Sequence, residues 1–130
     1  MTTPAGRDDD WMDRWSSRSD TEIAAAWISY QSRDHALPSE DDEDWWAVDA
    51  LMSLSADDPL RALETAFLIA RGSNNPKVLE MLGASPIEDL VSEDPTLLDA
   101  IAVEVRSNPN LRVALKSVWQ GNIADLASQP

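Results

Sequence analysis

Residues 58–111 read DPLRALETAFLIARGSNNPKVLEMLGASPIEDLVSEDPTLLDAIAVEVRSNPNL. Five times a side chain able to cap a helix is followed at once by proline: Asp58-Pro59, Asn75-Pro76, Ser85-Pro86, Asp94-Pro95 and Asn108-Pro109. Proline suits the first position of a helix because its missing N–H would have had no partner there. The preceding Asp, Asn or Ser accepts a hydrogen bond from one of the other open N–H groups. Ser85 and Glu88 add the spacing of a capping box. Gly72, Gly83 and Gly121 stand where helices should stop, glycine being able to adopt the left-handed C′ conformation. Alternating β-branched runs and Asn-Gly or Asp-Gly turns are absent from the sequence. The expected fold is all-α, a compact bundle of six to eight short helices.

Working outward, the helix from Pro59 gathers Leu63, Ala66, Phe67 and Ala70 on one face. The one from Pro95 gathers Leu97, Leu98, Ile101 and Val105, and the last gathers Leu111, Ala114, Leu115, Val118 and Trp119. Leu68 and Val103 fall opposite their stripes, so both helices are expected to be contacted on two sides. The pairs 58–82 and 94–118 echo each other at a spacing of 36 residues, which suggests two stacked helical hairpins after residue 58. Upstream, Ser19 and Glu22 form a capping box ahead of Ile23, Ala26, Trp27 and Tyr30, and three aspartates precede a helix carrying Trp11 and Trp15. Residues 1–7 and 127–130 are expected to fray around a single domain over 8–126.

The helix after Pro38 bears most directly on function. Its helical projection groups Trp45, Val48, Leu51 and Met52 as a core face. Trp46 points the other way, among Asp42, Asp49 and Ser53. An outward tryptophan ringed by acids is a favoured anchor for a partner. The expected core is Val48, Leu51, Leu63, Phe67, Ile101, Leu115 and Trp119.

The chain has 130 residues, no cysteine and a formal net charge of −14. Residues 1–58 hold fifteen acids and four arginines, a net −11, and residues 59–130 hold nine acids and six bases, a net −3. Such a charge repels nucleic acid and anionic membranes and favours a basic protein partner. No apolar run reaches the roughly 18 residues of a membrane span, and no secretory signal is read at the start. Lack of cysteine fits a cytoplasmic setting.

Asp41-Asp42-Glu43-Asp44 is the densest acidic run. Carboxylates four apart on a helix stand about 6 Å from one another, close enough to phosphate spacing to imitate a nucleic-acid backbone. The run does not match a calcium loop, which needs alternating ligands and a central glycine. The plainer account, a solvated helix start with favourable dipole interactions, ranks ahead of mimicry for this run. His35 stands in a loop with no nucleophile motif beside it, and Glu88-Asp89 read as acids in a helix's first turn. No phosphate loop, dinucleotide fingerprint or zinc-protease motif occurs. The expectation is therefore a non-enzyme without cofactor or metal. It is an inhibitor or immunity-type protein that meets a basic partner through Asp41, Asp42, Glu43, Trp46 and Asp49. The rival is a helical scaffold whose acidic half merely solvates it; a metal-dependent or hydrolytic enzyme ranks last.

The segment Leu82-Gly83-Ala84-Ser85-Pro86-Ile87-Glu88-Asp89-Leu90-Val91 resembles a Leu-Gly-x-x-Pro-Leu-Glu-Asp-Leu-Leu stretch found in a family of bacterial helical domains. The tryptophan-led helix from Trp45, the acidic helix ending at Glu104 and Arg106, Asn108-Pro109, and Leu115-Lys116-Ser117-Val118-Trp119 extend the resemblance. It implies a bacterial, cytoplasmic helical domain and brings no activity with it.

Overall fold

A computed structural model describes residues 18–33 and 43–116. Asp41, Asp42, His35, Trp119, Gly121 and the helix with Trp11 and Trp15 lie outside the described residues. The elements are α1 (Asp20–Ser32), α2 (Trp45–Asp57), α3 (Pro59–Gly72), α4 (Pro76–Leu82), a π-helical turn (Gly83–Ile87), α5 (Glu88–Glu93), a 3₁₀ turn (Pro95–Leu97), α6 (Leu98–Glu104) and α7 (Pro109–Leu115). Among the described residues there is no strand, and the fold is a compact all-α domain.

The caps form much as the sequence dictates. Glu22 N–H donates to Ser19 Oγ at 3.1 Å and Ser19 N–H to Glu22 Oε1 at 3.1 Å, a complete capping box. Asp58, Asn75, Asp94 and Asn108 each accept from a backbone N–H of the helix or turn that follows, with proline in its first turn. Ser85-Pro86 behaves differently. The chain stays in the right-handed helical region from α4 through Gly83 and Ile87 into α5. Pro86 thus lies inside a helix rather than opening one, and the Ser85 to Glu88 capping box is not formed. α5 is assigned from Glu88, two residues past the proline, without a break before it. Pro86 has no N–H for the usual i→i−4 bond and its ring crowds the carbonyl four residues back, so a helix that runs through it widens into a π turn.

α3 does end at Gly72, but no glycine has a positive φ among the described residues. Gly83 continues the helix. At Gly72 the requirement is close approach, because a Cβ there would stand 3.0 Å from Ile28 Cδ1 of α1.

The core draws on all seven helices, with Ile23, Leu51, Leu63, Leu79, Leu90, Ile101 and Leu115 fully enclosed. α2 and α3 turn small side chains inward: Ala47 and Ala50 on one, Ala62, Ala66 and Ala70 on the other, all at 0% exposure. Small residues let helix backbones approach, and α1, α2 and α3 pack on one another. α4 and α7, the second helices of the two hairpin-like units, also pack together.

Three packing expectations change. α2 is rotated from its expected phase, with Ala47, Ala50, Leu51 and Leu54 buried, Trp45 and Val48 half-buried and Met52 exposed. Phe67 is half-buried because the smaller Ala62, Leu63, Ala66 and Ile69 occupy the centre of the α3 face. Leu68 does meet the core on the second side of α3, whereas Val103 is 65% exposed on α6.

Candidate functional site

Rotation of α2 gives it two working faces. On one, Trp46 packs partly against the core and the Arg18 guanidinium lies over its ring, 5.0 Å from the centroid. Cation–π contact of this kind favours the positive face of Arg on the electron-rich ring. Trp46 is therefore half-covered. Asp49 on the same helix is half-buried and Glu43, just before it, is exposed. Of the acid-ringed patch expected from sequence, Glu43, Trp46 and Asp49 are described, and Asp41 and Asp42 are not.

On the other face α2 contributes Trp45, Val48, Met52 and Ser55, positions recurring every three or four residues, to an open groove of about 500 Å³. The opposite wall is the run from α4 through the π turn into α5, which supplies Lys77, Met81, Ser85 and Asp89 at intervals of four. The floor comes from α1, where Trp27 and Tyr30 are buried. Tyr30 meets Trp45 edge-on at 5.5 Å between ring centroids, a favoured aromatic geometry that fixes the floor against one wall. Met52 and Met81 both border the opening, at 64% and 43% exposure.

One end of the groove is fixed by Arg33, the residue after α1. Its guanidinium donates to Asp44 Oδ2 at 3.0 Å and to Ser29 Oγ at 2.9 Å. Its carbonyl accepts from Lys77 Nζ at 3.0 Å. Both walls therefore start beside Arg33, at Trp45 and at Lys77. Asp89 stands twelve residues along the second wall, about 18 Å away at the helical rise. Its carboxyl is held above the usual carboxylate range, first by burial, then by Glu88 and Glu93. Because the helix runs through from α4, Asp89 has no helix N-terminus beneath it, contrary to the sequence expectation for Glu88-Asp89.

Sequence reasoning missed this groove. Its residues come from separate helices, and the strongest signal available was the spacing of Trp45, Val48 and Met52, which reads equally as a core stripe. Among the described residues no three acids or histidines converge as a metal-binding group, and no helix is long and apolar enough to cross a membrane.

The described helices form a small all-α domain. A family of unknown function, DUF6869, matches residues 34–127, and the chain belongs to it. No curated protein and no solved structure matches the chain.

Proposed function

We propose that the chain is a protein-interaction module that binds a basic partner, of the inhibitor or immunity kind, and that it is not an enzyme. The reading extends to a bacterial, cytoplasmic setting in which the acids stand in for phosphates on a nucleic-acid-acting target. The supporting observation is the disposition of charge. Arg18, Arg33, Arg61 and Arg71 are engaged by Glu22, Asp44, Asp20 and Glu104. Among the described residues Glu43, Asp57, Glu64, Glu80, Asp89, Glu93 and Asp99 are exposed carboxylates, in a chain whose formal net charge is −14. Such a field speeds the approach of a basic protein and disfavours anionic ones.

The contact we assign is Asp41, Asp42, Glu43, Trp46 and Asp49. The test is capture of a basic protein by the tagged chain, followed by binding kinetics. Charge reversal at Glu43 and Asp49 should slow association, and added salt should shrink the difference. Trp46→Ala should chiefly speed dissociation, with circular dichroism confirming the fold. Unchanged rates in the folded triple variant would reduce this face to a solvated one and favour the scaffold reading.

A further inference from the structure

We propose that the groove between α2 and the α4–α5 wall binds a small organic cation, a protonated amine on an elongated apolar body, with its charge at Asp89 and its body lying along Trp45, Val48, Met52 and Met81. The site is separate from the proposed partner contact, which uses the other face of α2.

The groove has the size and composition of a small-molecule site: about 500 Å³, an aromatic floor and a few polar groups among apolar ones. It is elongated. Its walls run from Trp45 to Ser55, about 15 Å at the helical rise, and from Lys77 to Asp89, about 18 Å. An extended apolar chain matches that outline. The two methionines at the opening are unbranched and polarizable, and adjust to such a chain without a fixed fit.

The sign of the ligand follows from the far end of the groove. Asp89 borders it there as an exposed carboxylate. The influences on that carboxyl all disfavour its charge: partial burial first, then Glu88 and Glu93. None of the ion pairs among the described residues includes it. A bound ammonium would offset all three influences at once, because an opposite charge close by favours the ionised form. Ser85, one turn earlier on the same wall, has a hydroxyl able to accept from an ammonium N–H. Arg33 and Lys77 mark the opposite end, beyond the roughly 8 Å over which exposed charges act in physiological salt. They fix which way the cation lies without opposing it at Asp89.

Decylammonium, 1-decanol and decanoate, equal in chain length and different in charge, provide the test by isothermal titration calorimetry on the full chain. The titrations are run below micelle formation and in enough salt to screen the overall charge. Decylammonium should bind saturably at one site, about tenfold more tightly than 1-decanol, with decanoate weakest. Asp89→Asn should remove that preference. Asp99→Asn, exposed on α6 outside the groove, changes the net charge equally and should leave the preference intact, which separates the groove from the general field of a chain carrying −14. Met81→Gln should weaken decylammonium and 1-decanol alike by about fivefold, because apolar wall is lost. All three positions are exposed, and circular dichroism checks that each variant is folded. Absence of saturable decylammonium binding, equal or tighter binding of 1-decanol, equal effects of Asp89→Asn and Asp99→Asn, or unchanged affinity in folded Met81→Gln would each overturn the proposal.

Discussion

Asn108 ties the start of α7 to a helix forty-one residues earlier: its Nδ2 donates to the Phe67 carbonyl at 3.2 Å while its Oδ1 accepts from Leu111 N–H at 3.3 Å. A capping side chain thus doubles as a tertiary tether, and it is 2% exposed. Its neighbour Asn110 reinforces the join, donating to the carbonyls of Ala70 and Ser73. Asn108→Ala should lower stability by about 1–3 kcal/mol, since buried polar groups lose their partners. Asn108→Asp retains the cap acceptor but loses the donor and sets a carboxylate beside Glu104, so it should not restore stability. Urea denaturation of the three proteins would show this order.

Burial separates Leu63, which lies on the core stripe of α3, from Val103, which lies opposite the core stripe of α6 and is exposed. Leu63→Ala should cost about 2–5 kcal/mol, from lost transfer energy and the cavity left behind. Val103→Ala should stay within about 0.5 kcal/mol of the parent, as an exposed position does. Phe67→Ala should cost less than the roughly 3–5 kcal/mol of a fully enclosed phenylalanine, because Phe67 is only half-buried. Equal losses for Leu63 and Val103 in denaturant titrations would contradict the packing described.

The Asp89 carboxyl gives a pH signature. Its pKa is raised in the folded chain by burial and by Glu88 and Glu93. A raised acid pKa means that ionised Asp89 opposes folding. This opposition is full above the folded pKa and disappears below the ordinary carboxylate value. Asp89→Asn should therefore raise the Tm relative to the parent at neutral pH, and the gap should close as the solution is acidified. A gap independent of pH would show that the gain comes from packing instead.

Glu22 works in the opposite sense. Its pKa is lowered, chiefly by the Ser19 backbone N–H and then by Arg18. The capping contribution is present above the unfolded value and lost as pH falls through the folded one. Glu22→Gln should keep the hydrogen bond but weaken this acid dependence, which thermal melts between neutral and acidic pH would reveal.

The helix starts at Pro59, Pro76, Pro95 and Pro109 were legible because cap and proline act within a few residues of chain. Ser85-Pro86 carried the same local signal with a different outcome: whether proline opens a helix or sits in a widened turn depends on what Gly83, Pro86 and Ile87 pack against. All three are buried. The phase of α2 was misjudged for a related reason. Its large side chains suggested the inward face, but Ala47 and Ala50 lie inward because α1 and α3 approach closely. That displacement moves Trp45, Val48 and Met52 into the groove. Glu43, Trp46 and Asp49 were singled out by charge and projection alone, while the contact of Arg18 with Trp46 depends on how the start of α1 meets α2.

The π turn has a consequence for alignment. In an uninterrupted α-helix each fourth residue advances by roughly 40°, so Asp89 would sit about 120° around the axis from Lys77. The broader turn takes fewer degrees per residue, and Lys77, Met81, Ser85 and Asp89 all border the same groove. Pro86 thus acts as a phase correction, cancelling the drift that would otherwise swing the acidic end of the wall away from the basic one. Deleting one residue between Gly83 and Ile87 would leave the helix helical and its composition almost unchanged, yet rotate Asp89 out of line with Lys77.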